Sequence, residues 1–201
     1  MFSKLIVDLE KLFKGKSTNV AITDMTKHAA DFSQAVDSYV KSLKDPAKRP
    51  LLTTISPLII PPILTLSSAP GTATSSTDAL KAATQYATGI SLYTAALVVN
   101  PAPVMLPLGG IKLPPGNTMV AKLIDTGVLL SIQNDFKAIF MEPSGGMPKE
   151  ILMAKKAMLM ATAIKKAFTT KTNIIISGLD STLPPPAGIG PQPFSITGPL
   201  S

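Results

Sequence analysis

His28 is the only histidine in the chain, and there is no cysteine. Any imidazole chemistry would rest on that one ring. Its nearest acids are Asp24 and Asp31, about one helical turn to either side. A zinc site needs three or four donors from His, Cys and carboxylates at fixed spacing, and no second His or Cys exists to complete one. A Ser–His–Asp triad would also need His28, yet no G-x-S-x-G elbow accompanies it. His28 therefore reads as a solvated histidine near the start of a helix. The lack of cysteine removes disulfides, thiolate metal sites and Cys nucleophiles together. Residues 144–149, SGGMPK, form a glycine turn before a helix whose N-terminus could face an anion. Neither G-x-x-x-x-G-K-[ST] nor G-x-G-x-x-G is present. A loop followed by a helix-starting proline accounts for these residues. The acidic pairs Glu142 with Glu150 and Asp31 with Asp37 have no converging partner that would make a general acid or base. The sequence thus predicts no catalytic residue, no cofactor-binding residue, no metal ligand, no cofactor and no enzyme.

Six lysines, at 149, 155, 156, 165, 166 and 171, gather on or just beyond one predicted helix. They could touch nucleic acid or lipid headgroups, but a solvated face beside the core explains them. The chain carries a formal charge of +7, which gives some attraction to anionic partners. No run of five basic residues exists and none is interleaved with aromatics, so nucleic acid is not an expected partner.

The elements that would position these groups can be read from periodicity. Residues 2–14 place Phe2, Leu5, Ile6, Leu9, Leu12 and Phe13 at helical spacing, with Gly15 as a stop. This amphipathic helix either docks on its own domain or grips a neighbour. A second helix is expected over 24–44, capped by Thr23 or Asp24. Its stripe of Met25, Ala29, Phe32, Val36, Tyr39 and Leu43 means core packing. A third is expected over 78–98, capped by Ser76 or Thr77. Small residues there (Ala82, Ala83, Ala87, Gly89) let another element approach closely. A fourth is expected over 118–140, capped by Asn117, with Val120, Leu123, Ile124, Leu130 and Phe136 buried. A fifth runs from Pro148 to about Phe168, and TNIIIS at 172–177 reads as a short buried strand.

Between these elements the chain is strangely free of charge. All charged residues except Asp78, Lys81 and Asp180 fall within 4–49 and 112–171. Residues 50–77, 82–111 and 181–201 carry none, and proline is about twice as common as usual. The uncharged runs are long enough to cross a bilayer. However, Pro57, Pro61 and Pro62 interrupt one, and Pro101, Pro103 and Pro107 the other. Each proline removes a backbone donor and clashes with the preceding turn, and lipid cannot satisfy the freed groups. No transmembrane helix is expected. The charged residues interleaved through 2–14 rule out a signal-peptide core. Residues 51–70 and 97–116 instead read as edge strands or polyproline-like extended arms.

The fifth helix is apolar nearly all round. Met153, Ala157, Met160, Ala161, Ile164 and Phe168 share one face. Ile151, Leu152, Met158 and Leu159 fall on the lysine side. A helix apolar on two sides is buried on two sides, so these four are candidate subunit contacts. Leu58, Ile59, Ile60 and Ile63 of the first arm are the others.

The fold class expected is mainly α, a helical bundle with short β-strands and extended proline-rich arms. ATGISLYTAALVV from 87 is loosely similar to ATAIKKAFTTKTNIII from 161. This suggests an internal duplication of a helix–loop–helix–strand unit. The corresponding division is an N-terminal helix or arm over 1–23, one unit over 24–116, a second over 117–180 and a proline-rich tail over 181–201.

Alanine-rich helices ending in an aromatic, joined by Pro-Gly and Pro-Pro loops, recur in HAADFSQAVDSYV, in TDALKAATQYATGISLYT with NPAPVMLP, and in KKAMLMATAIKKAFTT with TNIIISG and LPPPAG. This pattern resembles the small structural proteins of tailed-bacteriophage virions. The resemblance spans nearly the whole chain and carries over no functional residue. It implies a component of the tail, baseplate, neck or capsid surface. It also implies localisation to the virion and partners that are other virion proteins, copies of this chain among them. The alternative is a peripheral membrane- or envelope-associated protein that uses the N-terminal helix and the uncharged segments at an interface.

Overall fold

The computed structural model describes residues 2–14, 22–44, 56–66, 75–95, 120–125, 128–143, 145–180 and 192–201. Among these residues six α-helices dominate, and one three-stranded sheet accompanies them. In chain order these are α1 (Phe2–Lys14), α2 (Ile22–Val40), a 3₁₀ turn (Ser56–Ile59) leading into α3 (Ile60–Leu64), and α4 (Ser76–Ala95). Then follow β1 (Val120–Asp125), α5 (Val128–Phe140), α6 (Lys149–Lys166) with a π turn (Ala167–Lys171), β2 (Thr172–Asp180) and β3 (Gln192–Pro199). The expectation of a mainly helical bundle with short strands holds.

α1 settles its two readings in favour of its own domain. Leu5, Leu9, Leu12 and Phe13 are all buried. The helix lies against α2 and α6. Phe2 meets the edge of Tyr39 near the end of α2, and Leu12 shares a groove with Lys27 near its start, so α1 and α2 run antiparallel. Burying four large side chains stabilises a helix too short to hold alone.

α2 ends at Val40, short of the expected 44, but it and the turn after it bury the whole predicted stripe from Met25 to Leu43. α4 begins at Ser76, and its cap is Ser75, one residue before the first expected candidate. Ser75 Oγ accepts the Asp78 backbone N–H at 3.1 Å, and its hydroxyl donates to the Asp78 carboxylate at 2.7 Å. Serine at this position satisfies an orphan donor of the first turn.

Two elements depart from expectation. The run SPLIIPPIL is not extended: residues 56–64 form the 3₁₀ turn and α3. Pro61 and Pro62 follow Ile60 in the first turn of α3, where the backbone N–H groups have no partner within the helix, so the prolines sit in a helix start instead of preventing one. The segment wedges against both α2 and α4, and Gly89 of α4 admits it. The second arm, 97–116, lies outside the described residues.

The second departure is at residues 118–140, which are not one helix. Residues 120–125 are strand β1, and the helix starts at Val128. The positions of Val120, Leu123 and Ile124 suit a helix, but pairing decides: β1 runs antiparallel to β2 with Leu123 opposite Ile174. Strand preference is set by such partners more than by the local pattern. TNIIIS lies within β2, the central strand, in the order β1-β2-β3. The uncharged tail supplies β3, antiparallel to β2 with Ile196 opposite Ile176. Beyond β3, Leu200 is buried and Ser201 exchanges two backbone hydrogen bonds with Lys44, at 2.7 and 3.0 Å. That end of the tail is covered by its own domain.

The proposed repeat units share one core. A single buried cluster runs from Leu5 through α2, α4, α5 and α6 to Leu200. α4 of the first unit packs directly on α5 of the second. The strand counterpart at 97–99 lies outside the described residues.

Candidate functional site

His28 is where the structure most clearly corrects the sequence reading. It is not solvated: its ring is 1% exposed in the core between α2 and α4. Nε2 hydrogen-bonds the hydroxyl of Tyr86, and the rings meet edge to face. A second polar pair lies further along the same two helices. Tyr93 donates to the buried carboxylate of Asp37 at 2.9 Å, and Lys41 approaches the other oxygen at 2.6 Å. Both pairs advance together, 28 with 86 and 37 with 93, so α2 and α4 run in the same direction. Buried polar groups are tolerated when hydrogen-bonded. These two fix the register of α2 on α4. Sequence reasoning missed the pair because the signal was split over nearly 60 residues.

Tyr86 and Tyr39 also give the fold an alkaline limit. Burial pushes the Tyr39 phenol up to about 12, and burial pushes Tyr86 well above its ordinary value. In the unfolded chain both ionise near pH 10. Above that pH the unfolded state loses protons that the folded state keeps. The stabilisation is complete below pH 10 and is lost as pH rises through the folded values. Lys156 acts in the opposite sense. Burial lowers its ordinary value of 10.5, partly offset by Glu142, so its desolvation cost fades as pH approaches 10.5. The expected result is a urea midpoint that falls above pH 10 and falls less in Tyr39→Phe. A midpoint level to pH 12 would contradict the assignment.

The lysine cluster separates into distinct roles. Lys156 is buried, and its Nζ donates to the Phe140 carbonyl at 3.2 Å, capping the end of α5. Lys155 meets Glu142 at 2.5 Å and Lys166 meets Asp135 at 3.5 Å. Lys165 lies 5.0 Å over the ring of Phe2. The turn at Gly145 and Gly146, both at positive φ, lets α6 return antiparallel to α5. Pro148 precedes the first helical residue as the N-cap.

The candidate contact residues divide. Ile59, Ile63 and Leu152 are not available for a neighbour: each is buried in the chain's own core. For Ile59 and Ile63 the cause is the helical turn, which points both inward. Leu152 joins the same core cluster, on a side of α6 that the sequence had assigned to a neighbouring subunit. Ile60 and Leu159 are partly buried against that core. Leu58, Ile151 and Met158 are exposed. Leu130, expected in the core, is the most exposed large apolar residue among those described, at 63%; Ile151 at 56% and Met158 at 54% come next. All three sit on the α5–α6 hairpin.

Between α5 and α6 runs an open groove of about 390 Å³, lined by Ala138, Ile139, Leu159 and Ala163 and edged by the two ion pairs. A groove of similar volume between α1 and α2 mixes Lys4, Lys11 and Lys27 with Asp8 and Asp31. Its charges alternate instead of converging on one ligand, and Lys4 already pairs with Asp8. Among the described residues, no group of three His, Cys, Asp or Glu could hold a metal ion, and no helix is long and apolar enough to cross a membrane. No family model, no curated protein and no solved structure matches the chain.

Proposed function

We propose that this chain is a non-enzymatic structural subunit of a large assembly, a component of a tailed-phage virion. The observation that carries this reading is the outer face of the α5–α6 hairpin. Leu130, Ile151 and Met158, the three most exposed large apolar side chains among the described residues, all belong to this hairpin, whose two helices enclose an apolar groove. Scattered apolar residues are ordinary on any surface, whereas exposed apolar residues concentrated on one hairpin point to a contact. The resemblance of the alanine-rich helices and proline loops to virion proteins supplies the kind of assembly. The membrane alternative has less to draw on, because the apolar face of α1 is already occupied by the core.

The test is fractionation of virus particles on a density gradient with an antibody against the purified chain. The chain is expected to band with the particles at a fixed copy number. Recovery only at the top of the gradient overturns the reading, and flotation of the purified chain with anionic liposomes would replace it with the membrane alternative.

A further inference from the structure

The arrangement of charge on the α5–α6 face is not random with respect to the groove. Both carboxylates, Asp135 and Glu142, belong to α5, and both ammonium groups, Lys155 and Lys166, belong to α6. The helices are antiparallel, so each end of the groove holds one acid on the α5 side and one base on the α6 side. Neither pair is sealed off. Lys155 and Glu142 are 42% and 28% exposed, and Lys166 and Asp135 are 50% and 35% exposed. Each carboxylate can accept, and each ammonium can donate, a further hydrogen bond.

We infer that this face is the docking surface for a second copy of the chain, related by a two-fold axis along the groove. Such an axis places the partner's α5 over α6 without exchanging the ends. Asp135 of each copy then faces Lys166 of the other, and Glu142 faces Lys155. The other in-plane axis, across the groove, would lay α5 on α5 with its ends reversed and bring Asp135 onto Glu142. Like charges forbid that arrangement, so the pattern selects one mode and rejects the other. A two-fold contact must be self-complementary, and a face with acids on one rim and bases on the other is so about this axis only.

The apolar residues fit the same geometry. On α5, Leu130, Ala138 and Met141 share the outward side with Lys137; on α6, Ile151 and Met158 share it with the polar Thr162. The axis along the groove carries the end of α5, with Met141, over the stretch of α6 that holds Ile151 and Met158. Exposed ion pairs contribute little binding energy, so the apolar side chains supply the affinity and the charges set the register. This inference rests on the assembly reading in taking the patch as a contact, and it adds the partner and the symmetry.

The experiment uses the full chain in light scattering across a dilution series. A dimer that dissociates on dilution is expected. Met158→Glu should weaken it by about thirtyfold or more, as for a central anchor, and leave the thermal melt in place because the side chain is exposed. Two charge variants test the axis. Asp135→Lys with Glu142→Lys makes both rims basic, and Lys155→Glu with Lys166→Glu makes both acidic. Neither variant alone should dimerise; mixed, they should form a one-to-one heterodimer. A chain that is monomeric at every concentration overturns the inference, as does a mixture that does not pair. Association untouched by Met158→Glu also overturns it, yet leaves the assembly reading standing, since the particle gradient tests that reading separately.

Discussion

Tyr86→Ala should be the most damaging single substitution in this chain. Tyr86 is fully buried. Its ring stands edge to face with four others: Phe32 at 4.8 Å, Phe140 at 5.8 Å, His28 at 6.1 Å and Phe136 at 6.3 Å between centroids. Those partners lie on α2 and α5, and Tyr86 itself is on α4, so one side chain joins three helices. Truncating a buried aromatic to alanine costs about 3–5 kcal/mol, from lost transfer energy and the cavity left behind. A domain holds only about 5–15 kcal/mol in total. The melting temperature should fall by about 10 °C, at roughly 2–4 °C per kcal/mol for a chain of this size. Tyr86→Phe keeps every ring contact and removes only the hydroxyl that meets His28. Its expected cost is about 1–3 kcal/mol, the penalty of taking away one partner of a buried hydrogen bond. Urea denaturation of the two variants separates packing from the hydrogen bond. Equal losses would mean that the hydroxyl carries the whole effect, and the account of a packing hub would fail.

The same site shows which parts of this fold were legible in the sequence. Helical stripes were. Met25 through Leu43 and Met153 through Phe168 repeat at intervals that only a helix can turn to one side, and the structure buries both sets. The strand at Thr172–Asp180 was also legible, because three consecutive isoleucines suit a central strand. Decisions made by distant partners were not. Val120, Leu123 and Ile124 fit a helix until β2 offers a ladder. Pro61 and Pro62 fit an extended arm until one notices that the first turn of a helix accepts proline. His28 looked solvated because nothing nearby could satisfy it; its partner lies on α4, 58 residues away. The contact candidates failed for a related reason. Periodicity places Leu152 on the lysine side of α6 with Ile151 and Met158, yet Leu152 is buried in the chain's own core while the other two are exposed. Leu130 reverses the error, since an apolar residue in a helix is read as core by default.

Gly89→Ala should destabilise the protein even though alanine is the better helix former. In an isolated helix the change would gain about 1 kcal/mol. Here a Cβ at position 89 would lie 3.0 Å from the carbonyl oxygen of Ile59, and 3.3 Å from both its Cα and its Cγ2. The nearest obstruction is backbone, which cannot rotate away as a side-chain end could. Nor can the segment retreat. Ile59 and Ile63 are fully buried, and the 3₁₀ turn and α3 are held between α2 and α4. Overpacking of this kind typically costs about 1–3 kcal/mol, enough to cancel the helical gain and reverse its sign. Gly89→Leu should cost more and should loosen residues 56–66 selectively, seen as faster amide exchange in α3 than in α6. Thr88→Ala, at a neighbouring partly exposed position, provides the control in which propensity alone acts, and it should be neutral or slightly stabilising. If Gly89→Ala raises the urea midpoint as Thr88→Ala does, the 3₁₀ turn is not pressed against α4. The burial that removes Ile59 and Ile63 from the contact surface would then lose its structural basis.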